Sequence, residues 1–287
     1  MPRSVWPSIS PMSSAKAGDE TSDEVTVPPL EVLDSVEDSM EELGELELAD
    51  LSPQSGLAPG LYLVATPIGN LGDITPRAVH VLRHAGLVAC EDTRRSGMLM
   101  KHLGFKARLV SLHEHNEAMR TPQLLDHIRG GGSVALISDA GMPTVSDPGQ
   151  RLVAAAVAAG VFIDSLPGAS AVLTALAGSG LPTTPFWFGG FLPHKKGARE
   201  REITAALARE ATSIFFESPY RVLDTLQMAA THAPERRVVV ARELTKKFAE
   251  FRRGSAMEVL AHYQKHPPKG EITLLIGPAE MPKWVTW

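Results

Sequence analysis

The chain of 287 residues contains a single cysteine, Cys90, so no internal disulfide can form and a reducing compartment is favoured. It also lacks any apolar run of the roughly 18–20 residues that a membrane-spanning helix needs. The N-terminus shows no basic start followed by an apolar stretch, so we expect no secretory signal. These absences predict a cytoplasmic protein without a membrane segment.

Several common catalytic motifs are missing as well. No G-x-G-x-x-G follows the first predicted strand and no G-x-x-x-x-G-K-[ST] occurs, which disfavours an ordinary dinucleotide fold and a P-loop nucleotidase. The serine-hydrolase pattern G-x-S-x-G is absent, because Gly178-Ser179-Gly180 has the wrong spacing. The ten histidines form no convincing ligand pattern, so we predict no metal.

Charge is unevenly distributed along the chain. The net charge is −5, yet residues 1–57 contain thirteen acidic residues against only Arg3 and Lys16. The remainder carries 26 basic and 20 acidic residues, a net charge of +6. Because an acidic segment rich in Ser and Pro buries too little apolar area to fold, residues 1–57 are predicted to be a disordered tail. The mildly basic body is compatible with nucleic acid but does not establish it.

Beyond the tail, short apolar runs alternate with helical patterns. The run from Gly60 to Thr66 predicts a buried strand, and Thr75-Pro76 predicts a helix start with Thr as the N-cap. Continued alternation to about residue 180 predicts a mostly parallel sheet covered on both faces.

A turn-rich linker at 178–185 precedes a second α/β block. Strands predicted at 237–242 and 247–254 are close enough in sequence for hairpin pairing, which gives a mixed sheet. The predicted fold class is therefore α/β with two domains, 58–180 and 181–287, and a cleft between them.

Four loops are candidates for a binding site. They follow predicted strands at 66–73, 91–95, 138–149 and 167–170, and each is rich in Gly, Pro, Ser, Thr or Asp. Any one of them is expected of an α/β protein, since its loops need turn residues. Because ligands bind beyond the carboxyl ends of parallel strands, four such loops at one edge indicate a site.

Motifs in these loops and in the second block occur in a fixed order. They are Thr66-Pro-Ile-Gly-Asn70, Glu91-Asp-Thr-Arg94, Ser138-Asp-Ala-Gly-Met-Pro143, Ser146-Asp-Pro-Gly149, Pro167-Gly-Ala-Ser170, Phe216-Glu-Ser-Pro219 and Arg242-Glu-Leu-Thr-Lys246. As an ordered set across Gly60–Gly277 they resemble the small-subunit ribosomal RNA 2′-O-methyltransferases of the tetrapyrrole methylase superfamily. Met142 and Thr144 depart from the family pattern, which usually has Thr and Gly there. Thr144 is expected to restrict any positive φ in its loop.

The resemblance implies a two-domain fold that binds S-adenosylmethionine in its cleft and acts as a homodimer. It implies 2′-O-methylation of a cytidine ribose in small-subunit (16S) ribosomal RNA. The cofactor contacts that it implies are Thr66, Pro67, Ile68, Gly69, Asp139, Ala140, Gly141, Met142, Pro143, Pro167, Gly168 and Ala169.

Catalysis would benefit from a base, because a ribose hydroxyl is a poor nucleophile unless its proton leaves as the new bond forms. Glu91 and Asp92 are the candidates at the end of a predicted strand. Arg94 beside them could hold a phosphate through its planar guanidinium, or it could form a structural ion pair.

RNA binding requires cations that follow the phosphates. The candidates lie in the second domain or its approach and are Lys195, Lys196, Arg199, Arg201, Lys246, Lys247, Arg252 and Arg253. Phe188, Phe191 and Phe248 could stack on a splayed base or pack in the core.

Three other functions stay open. A methyltransferase of the same fold could act on a tetrapyrrole, although those enzymes usually carry a G-P-G-D-type turn where this chain has Thr66–Asn70. A non-catalytic RNA-binding assembly factor could keep the fold without binding S-adenosylmethionine. The acidic tail could instead indicate a regulatory scaffold.

Overall fold

The computed structural model describes residues 56–287, so nearly all of the predicted tail lies outside the described residues. The strands of the described part, in chain order, are β1 Gly60–Leu63, β2 Leu87–Cys90, β3 Leu109–Ser111, β4 Ser133–Leu136, β5 Ile163–Ser165, β6 Phe186–Phe191, β7 Thr212–Glu217, β8 Arg237–Arg242, β9 Glu250–Ser255 and β10 Ile272–Ile276. The helices are α1 Pro76–His84, α2 Thr93–His102, α3 Glu117–Arg129, α4 Gln150–Ala158, α5 Ala171–Ser179, α6 Lys196–Ala208, α7 Val222–His232 and α8 Ala256–Lys265.

The first sheet has the strand order β3-β2-β4-β1-β5, and all neighbours pair in parallel. Successive residues of β1 point to opposite faces. Leu61 and Leu63 pack with α3 and α4, whereas Tyr62 packs with α1 and α2. Because helices cover both faces, the strands are almost continuous aliphatic runs. Helix α1 begins as predicted, since the Thr75 side chain accepts the Ala78 N–H.

The second sheet has the order β6-β7-β10-β8-β9. Strands β6 and β7 pair in parallel, and the other neighbours pair antiparallel. The β8–β9 pair runs from Arg237 opposite Ser255 to Arg242 opposite Glu250, which confirms the predicted hairpin and the mixed sheet. One face of this sheet packs against α6, α7 and α8.

Helix α5 connects the two sheets. Its buried residues Val172, Ala175 and Leu176 pack against the other face of the second sheet. Ile68, from the loop after β1, belongs to the same apolar cluster. The carboxyl edge of the first sheet and one face of the second therefore share a core, which fixes the groove between them.

The predicted α/β fold class is confirmed. Helix α8 is absent from the sequence-based expectations, although Ser255 and Glu258 form a capping box at its start. The predicted strand at 247–254 begins later, at Glu250. The domain boundaries stay a prediction. None of the described helices is long and apolar enough to cross a membrane.

Candidate active site

A cavity of about 490 Å³ lies where the carboxyl edge of the first sheet faces the second sheet. This edge is the usual ligand position in an open parallel sheet. Small-molecule sites typically have volumes of roughly 300–1,000 Å³, so the cavity has a suitable size. Loops after β1, β2 and β4 and the start of α5 line one side, and β6, β7, β8 and β10 line the other.

The loops after β1 and β4 are joined by hydrogen bonds. The Thr66 N–H donates to the Gly141 carbonyl at 3.0 Å, and the Gly141 N–H donates to the Thr66 carbonyl at 2.9 Å. The Thr66 hydroxyl also donates to the Ser138 carbonyl at 3.1 Å, and the Ser138 hydroxyl donates to the Gly141 carbonyl at 3.0 Å. Gly141 has a φ of 86°, which favours glycine at this position. These two predicted cofactor loops form one rigid wall.

The far end of the β4 loop is strained but anchored. Thr144 has a φ of 73° and Ser146 a φ of 68°, so Thr144 adopts the conformation that its side chain disfavours. Glu117 of α3 holds the end of this loop, because its Oε1 accepts the N–H groups of Gly149, Arg151 and Leu152 at 3.1, 2.8 and 3.3 Å. A carboxylate is favourable there, since the N-terminus of α4 carries partial positive charge.

The turn after β7 is held by the buried side chain of Glu217. This carboxylate accepts the Ser218 N–H at 2.7 Å and the Thr225 hydroxyl at 2.8 Å. Arg221 pairs with it at 2.6 Å. Ser218 and Pro219, which line the cavity, are therefore fixed in place.

Lys246 links the loop after β8 to the first sheet. Its ammonium donates to Glu243 at 2.8 Å and to Glu271 at 2.9 Å. Its aliphatic stem passes over Gly69, where an added Cβ would lie 2.8 Å from the Lys246 Cε. The glycine of the first motif is thus required by this close approach.

Asp139 has one occupied and one free carboxylate oxygen. Its Oδ2 accepts a hydrogen bond from Arg95 at 2.8 Å. Its Oδ1 is buried and, among residues 56–287, has no hydrogen-bond partner. Because buried polar atoms are normally satisfied, an orphaned acceptor in a cavity wall fits a bound group that donates to it.

Asp92 is the N-cap of α2. Its carboxylate accepts the Arg94 N–H at 2.8 Å and forms a salt bridge with the Arg94 guanidinium at 2.9 Å. These hydrogen bonds lower the pKa of Asp92 to about 2, so its carboxylate is a weak base. Neither residue belongs to the cavity lining, whereas Glu91 and Arg95 do.

Asp147 is a half-buried carboxyl in the cavity wall. Burial, followed by repulsion from Glu91 and Asp139, raises its pKa from an ordinary 3.8 to about 6. The Ser138 hydroxyl partly offsets this rise. A carboxyl that titrates near neutral pH in a cleft is typical of functional sites.

The predicted cofactor residues divide into two groups. Those that line the cavity are Ile68, Asp139, Ala140, Gly141 and Met142. The others flank it without lining it and are Thr66, Pro67, Gly69, Pro143, Pro167, Gly168 and Ala169. Gly168 packs against Ala65, since an added Cβ would lie 2.7 Å from the Ala65 Cβ.

Other lining residues are not among the predicted catalytic or cofactor-binding residues, although some lie in the four candidate loops and Phe191 was predicted to stack on a base. They are Arg95, Val145, Ser146, Asp147, Ser170, Ala171, Val172, Phe191, Phe216, Glu217, Ser218, Pro219, Ala241, Leu244, Gly270, Glu271, Ile272 and Thr273. Ser146-Asp-Pro-Gly149 and Phe216-Glu-Ser-Pro219 were visible as motifs, so they carried a signal. Residues 270–273 carry none, because only the folded sheet brings the start of β10 to the cavity.

The basic residues predicted for RNA binding differ in whether their side chains are free at the surface or bonded within the protein. Lys195, Lys196, Arg201, Lys247 and Arg252 are exposed. Arg199 and Lys246 are engaged within the protein, whereas Arg253 is exposed although it donates hydrogen bonds to backbone carbonyls.

The internal contacts of these arginine and lysine side chains make it unfavourable for them to bind phosphate. Arg199 is 4% exposed, and its Nη1 donates to the carbonyls of Pro193 and His194, both at 3.2 Å. The Arg253 Nε donates to the Ser179 carbonyl at 2.8 Å. Arg199 therefore cannot reach a phosphate in this structure, because its guanidinium is buried.

Aromatic side chains at the cavity mouth include Phe191. It is 62% exposed, lines the cavity and lies 5.2 Å from the Phe216 ring, centroid to centroid. Phe248 is also exposed, whereas Phe188 packs on the core beside α5. Phe191 is therefore the best-placed of the three predicted aromatics to meet a base.

No group of three or more His, Cys, Asp or Glu residues within the described range could hold a metal ion. A parallel sheet that faces a mixed sheet across an acidic, loop-lined cavity defines an α/β enzyme with a small-molecule site. Residues 60–260 match the family model "Tetrapyrrole (Corrin/Porphyrin) Methylases", and the chain belongs to this family. It is accordingly an S-adenosylmethionine-dependent methyltransferase.

Similar proteins include three named ribosomal RNA small subunit methyltransferase I. The one from Mesorhizobium japonicum is 50% identical over 79% of this chain and 78% of its own length. The one from Streptococcus pyogenes is 46% identical over 77% of both chains. The one from Micromonospora olivasterospora is 50% identical over 76% of this chain and 70% of its own.

Solved structures share the fold at low identity. A diphthine synthase has a TM-score of 0.61 and 16% identity, and the match covers 76% of this chain and 89% of the other. Uroporphyrin-III C-methyl transferase from Thermus thermophilus, in complex with S-adenyl homocysteine, has a TM-score of 0.51 and 18% identity over 76% and 97%. These likenesses support the fold.

Proposed function

We propose that this protein methylates the 2′-hydroxyl of a cytidine ribose in small-subunit (16S) ribosomal RNA. The observation that carries the proposal is the match to relatives named for small-subunit ribosomal RNA, at 44–50% identity over about three quarters of both chains. The motifs that resemble this family all lie within residues 60–260, which match the family model. The cavity provides the chemistry that such a reaction needs.

When bound, S-adenosylmethionine supplies a methyl group activated by a sulfonium cation. The cavity fits it by charge, because Glu91, Asp139 and Asp147 line the wall and favour a cation. The buried Asp139 Oδ1 is ready to accept a hydrogen bond from the cofactor. Ile68, Val172 and Leu244 also line the cavity and offer apolar contact for a flat ring.

The wall also orients the reactants. The hydrogen-bonded loops at Thr66 and Gly141 and the turn fixed by Glu217 hold the lining residues rigidly. Rigid positioning of two reactants about 3–3.5 Å apart is a major part of the catalysis of group transfer. The flanking residues Pro143 and Pro167–Ala169 adjoin lining residues in the sequence.

RNA contacts the exposed cations of the second half of the chain. Lys195 and Lys196 mark the start of α6, which follows the β6 strand that carries Phe191. Phe191 stacks on the target base at the mouth of the cavity, because aromatic side chains bind splayed bases in this way. Replacing Lys195 and Lys196 with Ala is expected to weaken RNA binding at low salt and to reduce its salt dependence, with cofactor affinity unchanged.

A homodimer extends this basic surface, because a folded ribosomal segment is much larger than one cofactor cavity. Light scattering coupled to size-exclusion chromatography tests the dimer directly. A monomer at micromolar concentration would remove this part of the proposal. Since the substrate is ribosomal, the protein acts in the cytoplasm.

The test of the reaction is methyl transfer from labelled S-adenosylmethionine to small ribosomal subunits that lack the modification. We expect label on one ribose 2′-oxygen, located by mapping the modified nucleotide. Methylation of a tetrapyrrole but of no RNA would show that the substrate is a tetrapyrrole. No binding of S-adenosylmethionine would favour a non-catalytic assembly factor.

A further inference from the structure

Four carboxyl groups on the first-sheet side of the cavity differ in what they contact. Asp92 is bonded to Arg94 and lies outside the wall, and Asp139 is paired with Arg95. Glu91, at the end of β2, is exposed. Asp147 lines the wall, is half-buried and makes no salt bridge within the described part of the chain.

The segment that carries Asp147 is held at both ends. Thr144 and Ser146 adopt left-handed conformations immediately before it, and the Glu117 carboxylate binds the Gly149 N–H immediately after it. Strained backbone persists only where the surrounding structure fixes it, and it is common at active sites. The carboxyl is therefore preorganised in the cavity.

We propose that Asp147 is the general base that takes the proton from the ribose 2′-hydroxyl, an assignment that rests on the methyl transfer proposed above. As the 2′-oxygen forms its bond to the methyl carbon, the methyl–sulfur bond breaks and its electron pair stays on sulfur. The hydroxyl proton passes to a carboxylate oxygen of Asp147, which later releases it to water. This role replaces that of Asp92 and adds to the sites expected from sequence.

The surroundings of Asp147 suit a base that works near neutral pH. Burial and the negative charges of Glu91 and Asp139 raise its pKa to about 6. General bases are most effective when their pKa lies near the operating pH. The other charged groups in the wall are each paired. Arg95 from α2 pairs with Asp139, Glu217 at the end of β7 pairs with Arg221, and Glu271 just before β10 pairs with Lys246.

The first experiment compares kcat and kcat/KM of the wild type and Asp147→Asn across pH 5–9. We expect the wild-type kcat/KM, which reports ionisations of the free enzyme, to rise with pH and level off above an apparent pKa near 6. Asp147→Asn should lower kcat by about 100-fold or more and lose this pH dependence, because a general base typically contributes about 10²–10⁴-fold. Asp147→Glu, which keeps a carboxylate, should restore part of the activity.

A matched control is Asp126→Asn, at an exposed aspartate of α3 paired with Arg129 on the surface. This variant should retain wild-type kcat and pH dependence. If Asp147→Asn lowered kcat but kept the wild-type pH profile, the role would be structural and the base assignment would be overturned. Full activity of Asp147→Asn would overturn it as well.

A second readout does not depend on turnover. Carbon-13 NMR of labelled aspartate in the free protein should show one carboxyl, lost in Asp147→Asn, that titrates near pH 6. A titration near the ordinary value of 3.8 would contradict the assignment. Absence of RNA methylation by the wild type would overturn the proposed function itself, whereas methylation by both proteins would overturn only the role of Asp147.

Discussion

Substitution of Asp147 by asparagine should stabilise the folded protein at neutral pH even as it impairs catalysis. The pKa of this carboxyl rises from 3.8 to about 6 on folding, chiefly through burial. At about 1.4 kcal/mol per pKa unit, the unscreened cost of ionising it in the folded state is about 3 kcal/mol. Because the side chain is half-exposed, solvent screening reduces the expected effect to about 1 kcal/mol.

The sign follows from proton linkage. Below pH 3.8 the carboxyl is neutral in both the folded and the unfolded states, so it imposes no penalty. Between pH 3.8 and about 6 the Asp147 carboxyl is ionised in the unfolded chain but mostly protonated in the folded protein. The free energy of unfolding of the wild type therefore falls as the pH rises through this range. Above that window the loss is complete. Asparagine never ionises, so its advantage appears only as the pH passes through this range.

Urea unfolding of the wild type and Asp147→Asn at pH 4 and pH 7.5 measures this difference. We expect the free energy of unfolding of the variant, relative to the wild type, to increase by about 1 kcal/mol between the two pH values. Asp126→Asn, which removes an exposed charge, should change by less than about 0.5 kcal/mol. The reasoning would be refuted if Asp147→Asn were less stable than the wild type by the same amount at both pH values.

Three further substitutions test the supports of the cavity by urea unfolding and by calorimetric titration with S-adenosylmethionine. Thr144→Gly should raise the free energy of unfolding by about 1 kcal/mol, since it relieves a left-handed residue; no gain over Thr144→Ala would count against strain. Glu117→Ala should cost about 2–3 kcal/mol, because three N–H groups, two of them buried, lose a charged acceptor; a loss under about 1 kcal/mol would show that water replaces it. Gly69→Ala should reduce cofactor affinity by displacing Lys246, whereas Gly97→Ala, whose Cβ would meet its nearest neighbour at 3.7 Å, should not.

Much of the fold can be predicted from sequence because local patterns agree with the tertiary structure. The run at β1 is apolar on both faces, and Thr75-Pro76 starts α1 where the cap and proline indicate. The hairpin of β8 and β9 follows from their short separation. The predicted strand at 247–254 starts too early because residues 246–249 form a turn, in which the Ala249 N–H donates to the Lys246 carbonyl at 3.1 Å.

The candidate site is harder to predict, because its two walls are distant in sequence. The loop motifs locate Gly141 and Asp139 correctly in the cavity, since carboxyl ends of parallel strands share an edge. Sequence alone cannot separate Arg94 from Arg95, although α2 directs the first to Asp92 and the second to Asp139. Helix geometry settles that choice, because adjacent residues point about 100° apart around a helix with 3.6 residues per turn.

The folded structure also determines which charged side chains can contact the two proposed ligands, S-adenosylmethionine and RNA. The cavity wall concentrates carboxyls that favour a cationic cofactor and repel phosphate, so we expect the RNA backbone to stay at the rim and only a ribose to enter. The cations that remain free for phosphate are outside the cavity, on the surface that includes Lys195 and Lys196. Lys246 and Arg199 appear equally suitable in the sequence, yet both are used to hold the protein together. The distribution of charge thus separates an acidic cavity that suits a cationic cofactor from a basic surface that suits RNA. The proposed base, Asp147, whose pKa is raised, lies in the acidic cavity, where the proton of the ribose hydroxyl must be accepted.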